Sequence, residues 1–162
     1  MNYLLIKKIG RKGRGVFAQK PFKKDEVILR MDKSDAFTDK DMESMSQYAL
    51  SHAYTLGGGK NFRMKLPEKY INHSCNPNAF DRQGVVRAMR NIKKGDEITY
   101  DYSISSDDTW WMKCRCNSSK CRKTVSGRFV KLPKDVQKKY LPYLEGWYKK
   151  KFRKHLEALK WK

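Results

Sequence analysis

The protein has 162 residues, of which 39% are apolar, and such a chain is long enough and apolar enough for one folded domain with a small appendage. Its formal charge is +20, from 37 Lys and Arg against 17 Asp and Glu, which favours polyanions or acidic molecules as partners. No apolar run approaches the roughly 20 residues that cross a bilayer, and residues 1–8 lack the cleavage site of a signal peptide. We therefore expect an intracellular, monomeric protein without membrane contact, in the cytoplasm of a prokaryote or, if the source is eukaryotic or viral, in the nucleus.

Short strands dominate the first two thirds of the sequence. They are predicted at residues 3–9, 16–19, 26–31, 61–66, 78–80, 85–90 and 97–102. Glycine-bearing or charged turns separate them, such as the basic turn at 10–15 and the segment at 81–84. Many short strands joined by tight turns predict a mostly β fold of the β-rich α+β class.

One helix is predicted inside this region, over residues 38–53. Thr38 can cap its first turn together with Asp41. Four apolar residues share one helical face, namely Met42, Met45, Ala49 and Ala53. The glycines at 57–59 end the region.

The sequence changes character after Asp108. Residues 110–121 hold two Trp and three Cys, and from Pro133 onward the pattern is helical and rich in lysine. Five apolar residues form one stripe, namely Leu144, Tyr148, Phe152, Leu156 and Leu159. The stripe predicts a helix docked on the core, with a basic helix for nucleic acid or a membrane surface as the alternative.

The four cysteines predict a metal site. Cys114, Cys116 and Cys121 form a C-x-C-x4-C cluster, and Cys75 is the remaining cysteine. Zinc prefers four tetrahedral ligands, so Cys75 would complete the set. The residues alone leave open two disulfides, which an intracellular chain disfavours, four free thiols, which would oxidise easily beside basic neighbours, or a histidine as a ligand.

Four motifs carry a family resemblance. Residues 72–78 read NHSCNPN and resemble the NHSCxPN signature of the SET-domain protein lysine methyltransferases. Residues 95–102, GDEITYDY, are similar to the family's GEE-[IL]-TYDY segment, and residues 13–18, GRGVFA, to its N-terminal GxGVFA turn. Residues 114–122 look like the post-SET zinc motif. Because no cysteine-rich pre-SET region precedes the core, the chain resembles the minimal single-domain form of the family.

The resemblance implies a SET fold of small β-sheets, with a knot-like crossing of the NHSC and TYDY segments, a post-SET zinc site and C-terminal helices. It implies a SET domain at 1–107, a post-SET zinc segment at 108–126 and a basic helical tail at 127–162. The family's fourth zinc ligand is the cysteine of NHSC, which corresponds to Cys75. One departure concerns the turn after the last ligand, because Lys123 stands where the family usually has glycine.

The resemblance also implies S-adenosylmethionine as the methyl donor. Asn72 and His73 match residues that hold it, the asparagine by its side chain at the methionine end and the histidine by its backbone at the adenine. Arg14, Gly15 and Val16 match a backbone border of the cofactor, although the glycine could equally serve as a plain turn residue. The resemblance gives His73 no role as a general base.

Three tyrosines are candidate catalytic residues. Tyr102 matches the family's catalytic tyrosine, which also borders the cofactor, and its alternative is a core strand tyrosine. Tyr100 matches the position that sets the number of methyl groups, and a tyrosine there predicts mainly monomethylation. Tyr54 is a candidate for the family's upstream channel tyrosine. Trp110 and its neighbour Trp111 could wall the lysine channel, stack on adenine or simply pack.

The expected function is therefore an S-adenosylmethionine-dependent protein-lysine N-methyltransferase with one structural zinc ion. Its substrate would be a lysine of a basic DNA-associated or ribosomal protein, and nucleic acid could bridge two basic molecules through the basic surface. The alternative is a non-catalytic SET-like module that binds nucleic acid or chromatin. A transferase for a non-lysine group and self-methylation are also open.

Overall fold

The protein is described here from a computed structural model that covers residues 3–10, 13–105 and 107–160, without the side chains of Asp108 and Lys160. The strands within these ranges are β1 (Leu4–Lys8), β2 (Arg14–Ala18), β3 (Val27–Arg30), β4 (Ala36–Thr38), β5 (Ala53–Gly57), β6 (Lys60–Arg63), β7 (Asn72–His73), β8 (Ala79–Arg82), β9 (Val85–Ala88), β10 (Glu97–Tyr100), β11 (Asp107–Lys113) and β12 (Thr124–Arg128). The helices are α1 (Asp39–Met42), α2 (Gln47–Leu50), α3 (Lys134–Tyr140), α4 (Gly146–Lys151) and α5 (Arg153–Lys160).

The first sheet joins three distant segments of the chain. Its order is β1-β2-β10-β7, antiparallel except for the parallel pair β10 and β7. Val16 of β2 faces Ile98 of β10, and both side chains are fully buried. Beyond β7, the Ser74 N–H donates to the carbonyl of Tyr100 at 3.0 Å. The NHSC and TYDY segments therefore lie side by side, which is the neighbour relation that the predicted crossing requires.

Three smaller sheets complete the β structure, in the orders β3-β9-β8, β4-β6-β5 and β11-β12. The turn between β8 and β9 contains Gln83 and Gly84, which both have left-handed backbone angles, with φ of 52° and 71°. Strands make up 35% of the structure and helices 27%, which confirms the mostly β class. The sequence did not predict β4 and β7, which have three and two residues, or the five-residue β5, or the β11–β12 hairpin around the cysteine cluster.

The predicted helix over 38–53 is wrong as a single element. Thr38 and Asp41 do cap α1, because the Thr38 N–H and hydroxyl both donate to Asp41 Oδ2 at 2.7 Å. The chain leaves the helix after Met42, however, and neither α1 nor α2 buries a residue. Ala53 begins a strand instead. Because none of the residues in these two short helices is buried, the apolar periodicity is not enough to stabilise one long helix.

The C-terminal stripe, by contrast, packs on the core as predicted. It forms one hydrophobic cluster with Phe80, Met89 and Ile104 of the β-rich region. The buried members from the C-terminal segment are Phe129, Leu132, Tyr140, Leu144, Tyr148, Leu156 and Leu159. No single helix carries the stripe, because Tyr148 lies on α4 and Leu156 and Leu159 lie on α5, whereas Leu144 precedes α4 and Phe152 lies between the two helices. None of the helices in the described ranges is long and apolar enough to cross a membrane.

Candidate active site and metal centre

The first sheet brings the predicted cofactor residues together. Arg14, Gly15 and Val16 lie on β2, and Asn72 and His73 lie on β7, with β10 between the two strands. The side-chain amide of Asn72 donates to the Arg14 carbonyl at 2.8 Å, so the two segments touch across the sheet. The side chain of Val16 is buried in the core, which leaves only its backbone to face a ligand.

Gly15 is required by its neighbours rather than by its backbone angle. A Cβ there would lie 2.7 Å from Ile9 Cδ1, 2.9 Å from Glu97 Oε1 and 3.1 Å from Asn72 Nδ2. The two polar groups are joined, because Asn72 Nδ2 also donates to Glu97 Oε1 at 2.9 Å. The absent side chain therefore leaves a cradle between β2 and β7 that these two polar groups border together with Ile9. This cradle fits the polar methionine end of S-adenosylmethionine, and the residues that would hold it are Arg14, Gly15, Asn72 and the backbone of His73.

A cavity of about 350 Å³ lies beside this sheet. Its walls include all three candidate catalytic residues, Tyr54, Tyr100 and Tyr102. The rings of Tyr100 and Tyr102 are 5.2 Å apart at their centroids. Lys69 is the one formally charged side chain among the described lining residues. The cavity is therefore an aromatic and largely uncharged channel.

Tyr102 joins the channel to the cofactor sheet. Its hydroxyl donates to the carbonyl of Ile71 at 2.9 Å, one residue before Asn72. Burial raises the pKa of Tyr102 to about 12, so the phenol is protonated at neutral pH. Because its proton is given to Ile71, the hydroxyl oxygen can act towards the channel as a hydrogen-bond acceptor but not as a phenolate base.

Tyr100 and Tyr54 are both buried and both stay neutral. Burial is the main reason that the pKa of each phenol is raised well above its usual value. The hydroxyl of Tyr54 donates to Glu145 Oε1 at 2.8 Å, an interaction that no motif predicted. The phenol therefore keeps its proton and directs it towards a residue of the C-terminal segment.

The two tryptophans, Trp110 and Trp111, lie on opposite sides of strand β11. Trp110 and Met112 line the channel, whereas Trp111 is 74% exposed. Residues alternate sides along a strand, so β11 places only one tryptophan on the channel side. Trp110 both lines the channel and packs against the cluster of Cys75, Cys114 and Val125.

Three of the four predicted ligands, Cys75, Cys114 and Cys116, have their sulfurs within 4.8 Å of one another, whereas Cys121 lies outside this group. None of the four forms a disulfide. Cys75 Sγ and Cys114 Sγ are 3.7 Å apart, close to the about 3.8 Å that separates two sulfurs on one tetrahedral zinc ion. The thiols of Cys116 and Cys121 are within hydrogen-bonding reach of Cys114. The spacing of Cys75 and Cys114 fits a structural zinc site, and the assignment of all four cysteines as ligands stays a prediction.

His73 lies against the same cluster, and its ligand nitrogen falls within 4.8 Å of the sulfurs of Cys75, Cys114 and Cys116. Burial lowers the pKa of His73 to about 4, with Asp101 opposing this shift, so the ring is neutral at pH 7. The Tyr102 N–H donates to Nδ1 at 3.3 Å, which assigns the ring proton to Nε2. Nε2 then donates to Cys75 Sγ at 3.2 Å, so we interpret His73 as a donor to a ligand rather than as a ligand.

A model of the SET domain matches residues 13–103, which is more than half of the chain. The chain belongs to the SET-domain family. This confirms the family that the four motifs predicted.

The SET domain has curated relatives that are histone methyltransferases. Histone-lysine N-methyltransferase mes-4 of Caenorhabditis elegans is 29% identical over 141 residues, covering 70% of this chain and 16% of that protein. Histone-lysine N-methyltransferase ash1 of Drosophila melanogaster is 33% identical over 134 residues, covering 72% of this chain and 6% of that protein. The chain therefore spans only a small part of the length of these relatives.

A solved structure supports the SET fold. The crystal structure of a Plasmodium falciparum protein described as a histone methyltransferase matches with a TM-score of 0.51 at 24% identity. The match covers 62% of this chain and 92% of that one. Together with the family model, it confirms the predicted fold class.

Motif reasoning missed the buried ion pair between the SET core and the zinc segment. Asp101 is fully buried, and its carboxylate accepts two hydrogen bonds from Arg122, at 2.6 and 2.8 Å. The Tyr140 hydroxyl of α3 also donates to Asp101, at 3.1 Å. The Arg122 N–H in turn donates to Cys75 Sγ at 3.3 Å. One carboxylate next to Tyr102 therefore connects the core, the zinc segment and the C-terminal helices.

Proposed function

We propose that this SET domain is an S-adenosylmethionine-dependent protein-lysine N-methyltransferase. The observation that supports this most is the position of Tyr102, which lines the channel while bonding to Ile71, directly before the cofactor strand β7. A donor held at the cradle of Gly15 and Asn72 and a lysine in the channel would meet at this tyrosine.

The channel suits a lysine that must lose its proton. S-adenosylmethionine, when bound, supplies a methyl group carried on a positively charged sulfur. A free lysine has a pKa near 10.4, so the neutral amine costs about 4–5 kcal/mol at pH 7. The aromatic walls remove water, and Lys69 is a like charge beside the channel. Both effects lower the pKa of an incoming ammonium group. Holding the amine in line then supplies much of the remaining rate enhancement.

We further propose that monomethylation predominates. Tyr100 is buried in the channel wall and protonated, so its hydroxyl can hydrogen-bond the amine and occupy the room that further methyl groups need. Replacing Tyr100 with Phe should raise the share of dimethyl and trimethyl product. Mass spectrometry of the methylated peptide measures this, and an unchanged distribution would contradict the role.

The substrate that we propose is a lysine on a basic DNA-associated or ribosomal protein. With a formal charge of +20, the enzyme would repel such a substrate unless a polyanion lies between them. Nucleic acid could serve as this bridge. The proposal predicts that DNA or RNA raises activity at low salt and that added salt removes the effect. Equal activity with and without nucleic acid at low salt would contradict it.

Labelled S-adenosylmethionine incubated with the protein and a native cell extract tests the function directly. We expect labelled protein bands with the wild type and strong loss with Tyr102→Phe, which keeps the ring but removes the hydroxyl. S-adenosylhomocysteine should raise the melting temperature of both proteins, because binding to the folded state stabilises it. If S-adenosylhomocysteine does not stabilise the protein and no protein is labelled, the results would instead favour a non-catalytic module.

A further inference from the structure

Glu145 is a buried acid that belongs to no motif. It directly precedes α4, and its side chain is 1% exposed. Its Oε1 accepts the hydroxyl of Tyr54 at 2.8 Å and the N–H of Gln83 at 2.6 Å. Its Oε2 accepts the side-chain amide of Gln83 at 2.9 Å. A carboxylate buried among three directed donors is held in one orientation.

The same C-terminal stretch docks on the strands around Tyr54. Trp147 lies against Gly57 at the end of β5, so closely that a Cβ on the glycine would be 2.4 Å from the indole Cγ. Arg82 donates to the carbonyl of Pro142. These contacts fix the stretch on the end of β5 and on the end of β8.

Tyr54 itself is a wall of the lysine channel with its hydroxyl bonded to protein groups. Besides donating to Glu145, the hydroxyl accepts the Gly84 N–H at 3.3 Å. The ring stacks on Phe62 with centroids 5.0 Å apart. The orientation of the ring is therefore determined from both ends. Glu145 accepts the proton of the Tyr54 hydroxyl, and the carboxyl of Asp81 lies within hydrogen-bonding reach of the same hydroxyl.

We propose that Glu145 is a positioning residue for methyl transfer, which keeps Tyr54 as a rigid wall of the channel and thereby limits how many methyl groups a lysine can accept. This inference rests on the proposed methyltransferase function. Each added methyl group needs space beside the amine, so a wall that yields admits a second transfer. The C-terminal segment then acts on product specificity without touching the lysine.

Glu145→Gln tests the proposal, since it keeps the shape of the side chain and removes its charge. With a basic peptide or protein substrate, we expect the dimethyl-to-monomethyl ratio to rise roughly five-fold, a coupling of ordinary size between contacting residues. The dissociation constant of S-adenosylhomocysteine should stay the same, because the cradle lies on another sheet. Glu157→Gln is the matched control, because Glu157 is exposed on α5 and pairs only loosely with Arg153, at 3.8 Å.

A double-mutant cycle separates positioning from general stability. In a Tyr54→Phe background there is no hydroxyl for Glu145 to hold, so Glu145→Gln should no longer change the product ratio. If Glu145→Gln changes the ratio equally in both backgrounds, the residue acts through the β8–β9 turn alone and the proposal is wrong. The melting temperature and S-adenosylhomocysteine binding of each variant show that it is folded.

The outcome also distinguishes the inference from the function on which it depends. If the wild type transfers no methyl group to any substrate, the proposed function fails. If the wild type and the Glu157→Gln control are active and give the same product ratio as a folded Glu145→Gln variant, the function stands and the role of Glu145 is refuted.

Discussion

Two buried junctions attach the C-terminal segment to the SET core, and they treat their buried charges differently. At the zinc-side junction, formed by Asp101, Arg122 and Tyr140, the carboxylate meets a guanidinium with two hydrogen bonds. At the channel-side junction, formed by Glu145, Tyr54, Gln83 and Asp81, the described hydrogen bonds to the two acids come from neutral groups. The first junction is an ion pair beside the cysteine cluster, and the second is an acid cluster whose described hydrogen-bond donors are all neutral.

This difference determines what each junction contributes to stability. A buried ion pair has already lost its hydration, so removing one partner leaves the other charge buried and uncompensated. A buried acid without a cation instead lowers stability once it ionises, and it does so only at higher pH. Substitution should therefore be most harmful at the zinc-side junction, and pH should act mainly at the channel-side junction.

Removing zinc should have the largest effect, and it acts on the zinc side. Structural zinc sites contribute about 10–16 kcal/mol of apparent binding free energy at pH 7, so a chelator should disrupt the cysteine loop and lower the melting temperature strongly. Metal analysis should find one zinc per chain in the wild type and none in Cys121→Ser.

The histidine beside this cluster sharpens the test. If His73 only donates to Cys75, His73→Ala should keep zinc with an affinity weakened about 10–100-fold. Complete loss of zinc in His73→Ala, with zinc retained in Cys121→Ser, would show that the histidine is the fourth ligand.

The ion pair should have the next largest effect. Asp101→Asn keeps the shape of the side chain but leaves Arg122 without a counter-charge, which should cost about 3–5 kcal/mol of unfolding free energy. Urea denaturation measures it. Asp35→Asn is the matched control, because Asp35 forms an exposed pair with Arg63 at 3.5 Å, a kind of pair worth at most about 1 kcal/mol. Equal losses in the two variants would contradict the comparison.

The acid cluster should respond to pH in the direction opposite to an ion pair. Burial raises the pKa of Asp81 from 3.8 to about 6. The folded protein therefore binds this proton more tightly than the unfolded chain does. The resulting stability is complete below about pH 4 and is lost as the pH rises through about 6, with a loss of about 3 kcal/mol at neutral pH.

Asp81→Asn should remove this dependence. Its unfolding free energy, relative to the wild type, should increase by about 2.4 kcal/mol between pH 4 and pH 7.5. Asp32→Asn provides the control, because a hydrogen bond from Lys65 lowers the pKa of this exposed carboxyl. That carboxyl is ionised in the folded and the unfolded protein from about pH 4 upward, so the stability of Asp32→Asn relative to the wild type should stay flat between pH 4 and pH 7.5 and rise only at lower pH. A flat difference for Asp81→Asn would show that the carboxyl is not perturbed.

The core of the site could be predicted from the sequence because its residues stand in long motifs. The segments at 13–18, 72–78 and 95–102 each contain residues that meet in one sheet. The family resemblance therefore predicted both which residues form the site and that these segments are neighbours in the fold. The cysteine cluster was predictable for a different reason, since a metal needs a fixed number of ligands.

The junctions could not be predicted in the same way. Tyr54 and Glu145 are 91 positions apart, and a single glutamate in a lysine-rich segment resembles a solvated surface residue. Arg122 ends the post-SET motif, but the motif does not indicate its partner, whereas in the structure it pairs with Asp101 and its side chain is only 14% exposed. The helix predicted over 38–53 failed for the converse reason, because its apolar periodicity has no surface to cover. Pairings at long range depend on the whole fold, and local patterns do not encode them.

The smallest expected effect concerns the packing of the channel-side junction. Gly57 and Gly58 both have left-handed backbone angles, with φ of 86° and 65°, so alanine at either position should cost about 1 kcal/mol through backbone strain. Only Gly57 also faces Trp147, and a methyl group there must displace the indole. Gly57→Ala should therefore cost about 1–2 kcal/mol more than Gly58→Ala. Thermal or urea unfolding of the two variants measures the difference.

Because Trp147 and Glu145 dock as one unit, Gly57→Ala should also raise the dimethyl product as Glu145→Gln does. A destabilised Gly57→Ala with an unchanged product ratio would show that packing on β5 and the orientation of Tyr54 are independent.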